Sequence, residues 1–245
     1  MSPESRGWVS RVAAAAFRAL LIVLGPALVL AACGGSTDAG VVEEVSPAEV
    51  LAQAADRMAE LQGFAFTLEH ENGFTSIMQG LAMERAEGRV AGGESMRADV
   101  TARAGPMAVK LGVVILPEES WITNPLTGAW QRDQLSIAQI FDPATGVPAL
   151  IRDLIEPTLV GTETIGGAEV RRIDAQIASE SIQGLVPQAP AGLVLPVRVW
   201  VGVDDPVVHR IELAGKLEAQ DGDNAVRRLI LSDFDADSVI APPSS

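Results

Sequence analysis

Few side chains in this 245-residue chain have the type and spacing that chemistry needs. The histidines are His70 and His209, far apart in sequence, and Cys33 is the sole cysteine. Two histidines and one cysteine do not make a metal-ligand set. Serines are plentiful, but none sits in a Gly-x-Ser-x-Gly elbow or a Ser-x-x-Lys pair. Gly92-Gly93 and Gly166-Gly167 read as turns, not as phosphate cradles. Three acidic pairs remain: Glu118-Glu119, Asp204-Asp205, and Asp221 with Asp223. Carboxylates so spaced can bind calcium or share acid and base roles, yet all three fall in expected hairpin turns. There Asp caps the backbone and is solvated. Asp221-Gly222-Asp223-Asn224 also lacks the later acidic ligand of an EF-hand loop. No catalytic residue, metal ligand or cofactor site is assigned, and the chain reads as a non-enzyme.

Cys33 carries a different chemistry. It follows a basic region with Arg6, Arg11 and Arg18, an apolar core from Ala19 to Ala31, and the small residues Ala31 and Ala32. That order is a secretory signal, too short in its apolar core to be a membrane span. Leu30-Ala31-Ala32-Cys33 resembles the bacterial lipobox. The resemblance implies cleavage before Cys33, with acyl groups such as palmitate on its sulfur and on the new amine. The expected location is extracytoplasmic, anchored by lipid to the cell membrane. A soluble secreted protein with a free thiol is the alternative, and an exposed thiol is a liability in an oxidising compartment.

Composition narrows the partners. The full chain has 18 basic and 32 acidic residues. Removing residues 1–32, with three arginines and one glutamate, leaves 213 residues with 15 basic and 31 acidic, a net charge of −16. Such a charge disfavours nucleic acid and unaided docking on anionic headgroups. There is no Tyr, and beyond the leader the only Trp residues are Trp121, Trp130 and Trp200. The apolar content is aliphatic, which suits acyl chains better than stacked sugars, and equally suits an ordinary core.

The elements follow from periodicity. Residues 33–45 are the lipidated terminus and a small, polar tether, and residues 241–245 a tail. Ser46-Pro47-Ala48-Glu49 predicts a capped helix start, with Val50, Leu51, Ala54, Met58 and Leu61 at helical spacing and Gly63 as the stop. Period-two strands are expected over Phe64–Glu71, Ser76–Arg85, Arg89–Arg103 with a break at Gly92-Gly93, Met107–Leu116 and Ser120–Thr123. Short helices are expected at Gln134–Ile140 and Val147–Ile155, on either side of Phe141-Asp142-Pro143. Strands return at Thr158–Ile165, Glu169–Ile177, Val194–Val203, Val207–Glu218 and Ala225–Phe234, with a short helix at Ser179–Val186. One α+β domain over residues 46–240 is expected, built on a long, curved antiparallel sheet.

Several segments resemble the LppX/LprA/LprF/LprG group of bacterial lipoproteins. They are Gly63 to Leu68 after the capped helix, Trp121 to Pro125 leading to Trp130, Phe141-Asp142-Pro143, Gly161 to Gly167, and Leu195 to Val201. The resemblance spans nearly all of Ser46 to Ile240, and rests on order and spacing. It implies a half-barrel sheet with helices packed on its concave face around an apolar cavity, similar in layout to the LolA and LolB carriers. It also implies binding of acylated lipids or glycolipids and their transport within the cell envelope or periplasm. Val50, Leu51, Ala54, Met58, Phe66, Met78, Val113, Ile115 and Leu150 are the expected lipid-lining residues. The alternative function is a scaffold or accessory lipoprotein, with an envelope transporter as its partner.

Overall fold

The computed structural model describes residues 45–77, 80–135 and 146–244. The leader, Cys33 and the tether to residue 44 lie outside the described residues, as do Met78, residues 136–140 of the expected helix at Gln134–Ile140, and Phe141-Asp142-Pro143.

Helix α1 spans Pro47–Glu60. Pro47 supplies the fixed φ of a first helical residue and Glu49 a negative charge at the positive end. The expected Ser46 side-chain cap does not form; instead the Ser46 carbonyl accepts from the Val50 amide at 3.0 Å. Val50, Leu51, Ala54, Ala55 and Met58 are buried, as their spacing requires. The helix stops at Glu60, earlier than Gly63, because Leu61 is already extended. Gly63 serves a different need, since a Cβ there would sit 3.0 Å from the Val90 carbonyl oxygen.

Twelve strands among the described residues form one antiparallel sheet. They are β1 (Phe64–Glu71), β2 (Thr75–Ile77), β3 (Leu81–Ala91), β4 (Ser95–Ala104), β5 (Met107–Ile115), β6 (Ser120–Thr123), β7 (Trp130–Asp133), β8 (Ile155–Ile165), β9 (Ala168–Ala178), β10 (Val194–Gly202), β11 (Val208–Ala214) and β12 (Val226–Ser232). The order β7-β6-β5-β4-β3-β1-β12-β11-β10-β9-β8 is two meanders joined by β1, which pairs with β3 on one side and β12 on the other. Strand β2 hangs off β3. Strand β4 shows the logic: Met96, Ala98 and Ala102 are buried, while Arg97, Asp99 and Arg103 are exposed. Gly88 of β3 faces Phe66 of β1 and Ala98 of β4. A Cβ on Gly88 would lie 2.9 Å from the Phe66 ring and collide with the Arg97 carbonyl, so the close approach of these strands requires glycine.

Some boundaries differ from the periodicity. The single strand expected over Ser76–Arg85 is split into β2 and β3, and Gly80 just before β3 has φ +76°. Strand β7 was not anticipated, being four residues after a turn. Helix α2 is Val147–Arg152, shorter than expected, because β8 already begins at Ile155. Glu156-Pro157, which the sequence places as the stop of that helix, lies within β8 instead. It sits in a register shift between Ile155 and Thr158, with Glu156 at φ +52°. An edge-strand bulge is where a proline, lacking an N–H, is tolerated. Helix α3 is Ser179–Ile182, shorter than the expected Ser179–Val186. Helix α1 packs on α2, β8 and β10. The main core gathers Leu51, Ala54, Ile151, Ile173, Val197 and Val199, and a smaller cluster of Leu81, Ala102, Val109 and Leu111 lies in the first meander.

Candidate functional site

The apolar faces of the strands do not fill all the space they enclose. A cavity of about 530 Å³ is bounded by residues of β1 to β6, β11 and β12, of α2 and α3, and by Leu135 and residues 184–187. Its volume lies within the range of ordinary ligand pockets. The sheet side is aliphatic and aromatic: Phe66 and Leu68 from β1, Met96 and Ala98 from β4, Val113 and Ile115 from β5. Leu150 of α2, with Leu185 and Pro187, adds to the apolar lining.

The expected lining residues divide. Phe66, Val113, Ile115 and Leu150 line this cavity. Val50, Leu51, Ala54 and Met58 do not, because α1 spends its apolar face in the main core, where all four are buried. Met78 lies outside the described residues. Met96, Ala98, Val100 and Leu111 line the cavity without having been expected to. The alternation of β4 carried the signal, since Met96, Ala98 and Val100 share its dry face.

One end of the cavity is polar. Arg227, Thr75 and Ser76 line it. Arg227 stands directly across from His70 in the β1–β12 pairing, just as Leu229 faces Leu68 and Leu231 faces Phe66. The same alternation that aims Phe66 and Leu68 at the cavity therefore places an arginine in their row. Its side chain is 6% exposed. Nη2 donates to the Phe74 carbonyl and to Asp221 Oδ2 at 2.9 Å, and Nε donates to Thr75 Oγ1 at 3.3 Å.

Asp221 overturns the expectation of a solvated turn. Its side chain has no exposure. Besides Arg227 it accepts from the Leu217 amide at 2.9 Å, the Glu218 amide at 3.0 Å and the Phe74 amide at 3.3 Å. Burial alone would raise its carboxyl. The Leu217 amide, the Arg227 guanidinium and the Glu218 amide together outweigh that and hold it below the usual carboxylate range. Glu218, also buried, accepts from the Ser76 amide at 2.6 Å and from the Ser76 hydroxyl. The other acidic turns are outward ion pairs, Glu119 with Arg132 at 2.8 Å and Asp205 with Arg57 at 3.0 Å. Among the described residues no three His, Cys, Asp or Glu side chains converge as a metal-ligand set.

His70 is a tethered structural residue. A carbonyl can only accept, so Nδ1–H donates to the Glu84 carbonyl at 3.0 Å, and Nε2 accepts from the Thr75 hydroxyl at 2.8 Å. Burial holds this imidazole below its ordinary value of 6.5. A depressed folded value gives stability that is complete above about pH 6.5 and is lost as the pH falls toward the folded value. His209, against the Phe234 ring at 5.1 Å, is also lowered by burial and acts in the same direction. The unfolding free energy from urea titration is thus expected to fall from about pH 7.5 to about pH 5.5, by at most about 1.4 kcal/mol per pH unit for each histidine. His70→Gln should flatten that slope; an unchanged slope would contradict the assignment.

Residues 46–239 match the family model described as LppX_LprAFG lipoprotein. The chain belongs to the LppX_LprAFG lipoprotein family. Within this family, a curated relative is LppX of Mycobacterium tuberculosis (strain ATCC 25618 / H37Rv), named as a candidate phthiocerol dimycocerosate transporter. It is 29% identical over 204 residues, which cover 76% of this chain and 82% of the relative. Two crystal structures share the fold. LprF from Mycobacterium bovis aligns with a TM-score of 0.63 at 16% identity, covering 81% of this chain and 97% of that one. LppX from Mycobacterium tuberculosis aligns with a TM-score of 0.59 at 16% identity, covering 80% and 98%. As in those LppX_LprAFG structures, the fold here is a long open antiparallel sheet with few helices. No helix among the described residues is long and apolar enough to cross a membrane.

Proposed function

We propose that this protein is a non-enzymatic lipid carrier of the bacterial envelope, anchored outside the cytoplasmic membrane through acylated Cys33. In this reading residues 1–32 are the cleaved leader, residues 33–45 the tether, and residues 46–240 the carrier domain. The sheet curves into a half-barrel, with α2 and the segment after α3 standing over its concave face. The acyl chains of a lipid or glycolipid lie between them. The observation that carries the reading is the aliphatic cavity bounded by Phe66, Val113, Ile115 and Leu150. Each methylene moved there from water contributes about 0.8 kcal/mol, so ten give about 8 kcal/mol before the costs of association. Family membership and the lipid in the name of LppX support the same reading.

A vesicle assay tests it. The full-length protein in donor vesicles should speed transfer of a labelled diacyl lipid to acceptor vesicles. If no transfer occurs, and cross-linking recovers one stoichiometric protein partner without lipid, the accessory-lipoprotein reading replaces this one.

A further inference from the structure

The cavity is not uniformly inert. Four buried side-chain nitrogen or oxygen atoms among the described residues have no hydrogen-bond partner: Trp200 Nε1, Arg210 Nε, Ser238 Oγ and Arg227 Nη1. Of those four residues only Arg227 lines the cavity. Nε and Nη2 of its guanidinium are engaged, so the donors of Nη1 are the part left over. A buried donor without an acceptor is costly, and a guanidinium donor more so than a neutral one.

We infer that Arg227 Nη1 is a docking point for the acyl ester carbonyl of the bound lipid. The inference rests on the carrier reading above and specifies which part of the lipid lies at the polar end. Charge balance selects the acceptor. The Arg227 charge is already matched by Asp221 at 2.9 Å, and the buried Glu218 carboxylate, which accepts from the neighbouring Ser76, is a second negative charge. A phosphate or free carboxylate brought here would add a further anion to a site with two carboxylates and one cation, and would pay desolvation as well. An ester carbonyl accepts a hydrogen bond without adding charge, and its flanking chains match the aliphatic walls. The polar end adjoins a second recess, which shares Ser76 and is lined by Gln188, Lys216 and Gln220. Polar parts of the lipid beyond the ester extend there.

The test compares three probes offered to the full-length protein from phosphatidylcholine vesicles. They are a dioleoylglycerol diester, its dioleyl diether, which lacks both carbonyls, and the dioleyl ether form of phosphatidic acid, which has a phosphate but no acyl carbonyl. The diester is expected to load about tenfold or more better than the diether, the worth of one hydrogen bond to a charged group. It should also exceed the ether phosphatidic acid. Arg227→Lys keeps a cation for Asp221 but removes Nη1, and should bring the diester-to-diether ratio close to one. Equal loading of diester and diether by the unaltered chain overturns the inference, and so does a preference for the ether phosphatidic acid. The comparison on the unaltered chain needs no variant, so it decides the matter even if Arg227→Lys does not fold. Loading of none of the three would instead overturn the carrier reading itself.

Discussion

Val113→Trp is expected to reduce acyl-lipid uptake more than tenfold while changing the unfolding free energy by less than about 1 kcal/mol. Val113 is half-buried in β5, opposite Ala98 of β4 and Ile122 of β6, and all three line the cavity. An indole added there enters space that the protein leaves open, so it displaces lipid rather than core. Adding the same ring to a closed core forces off-rotamer side chains and typically costs 1–3 kcal/mol. Uptake measured beside urea unfolding separates the two cases. Parallel losses of stability and uptake would mean that Val113 belongs to a packed interior.

Asp221→Ala is expected to cost about 3–5 kcal/mol in urea unfolding, the usual penalty for removing one partner of a buried ion pair. The substitution strands the 6% exposed Arg227 cation. It also leaves the Leu217, Glu218 and Phe74 amides without their shared acceptor. Those contacts tie the β11–β12 turn to the segment before β2, so the loss reaches both meanders. The exposed pair Arg85–Glu87, at 2.9 Å, gives the contrast: Glu87→Ala there should cost no more than about 1 kcal/mol. A loss below about 1 kcal/mol for Asp221→Ala would contradict the buried pairing.

Much of the sheet was legible because each strand has one wet and one dry face. The β4 run, Met96 to Arg103, alternates so strictly that both its existence and its buried residues follow from spacing. The helix stripe Val50, Leu51, Ala54, Met58 was equally legible as buried, but not as to what buries it. A stripe reports only that water is excluded; whether a core or a cavity excludes it depends on distant elements. Here α1 meets α2, β8 and β10, and the cavity lies elsewhere. The turn sequence around Asp221 reports local backbone chemistry, such as its bonds to the Leu217 and Glu218 amides, but not its contacts with the distant Phe74 amide and with Arg227 six residues on. Arg227 stood in register with Leu229 and Leu231, so alternation alone marked it as inward. Arginine near a strand end is ordinarily solvated, so residue type pulls against the alternation. Strand β7 is too short for any period to declare itself.

Mass spectrometry of the full-length protein from a bacterial host, run under denaturing and then native conditions, tests the carrier reading most directly. The denatured mass retains only what is bound covalently. The native mass is expected to exceed it by that of one acyl lipid, and the excess should vanish on unfolding. Equal native and denatured masses, unchanged after incubation with lipid vesicles, would contradict a lipid-carrying cavity.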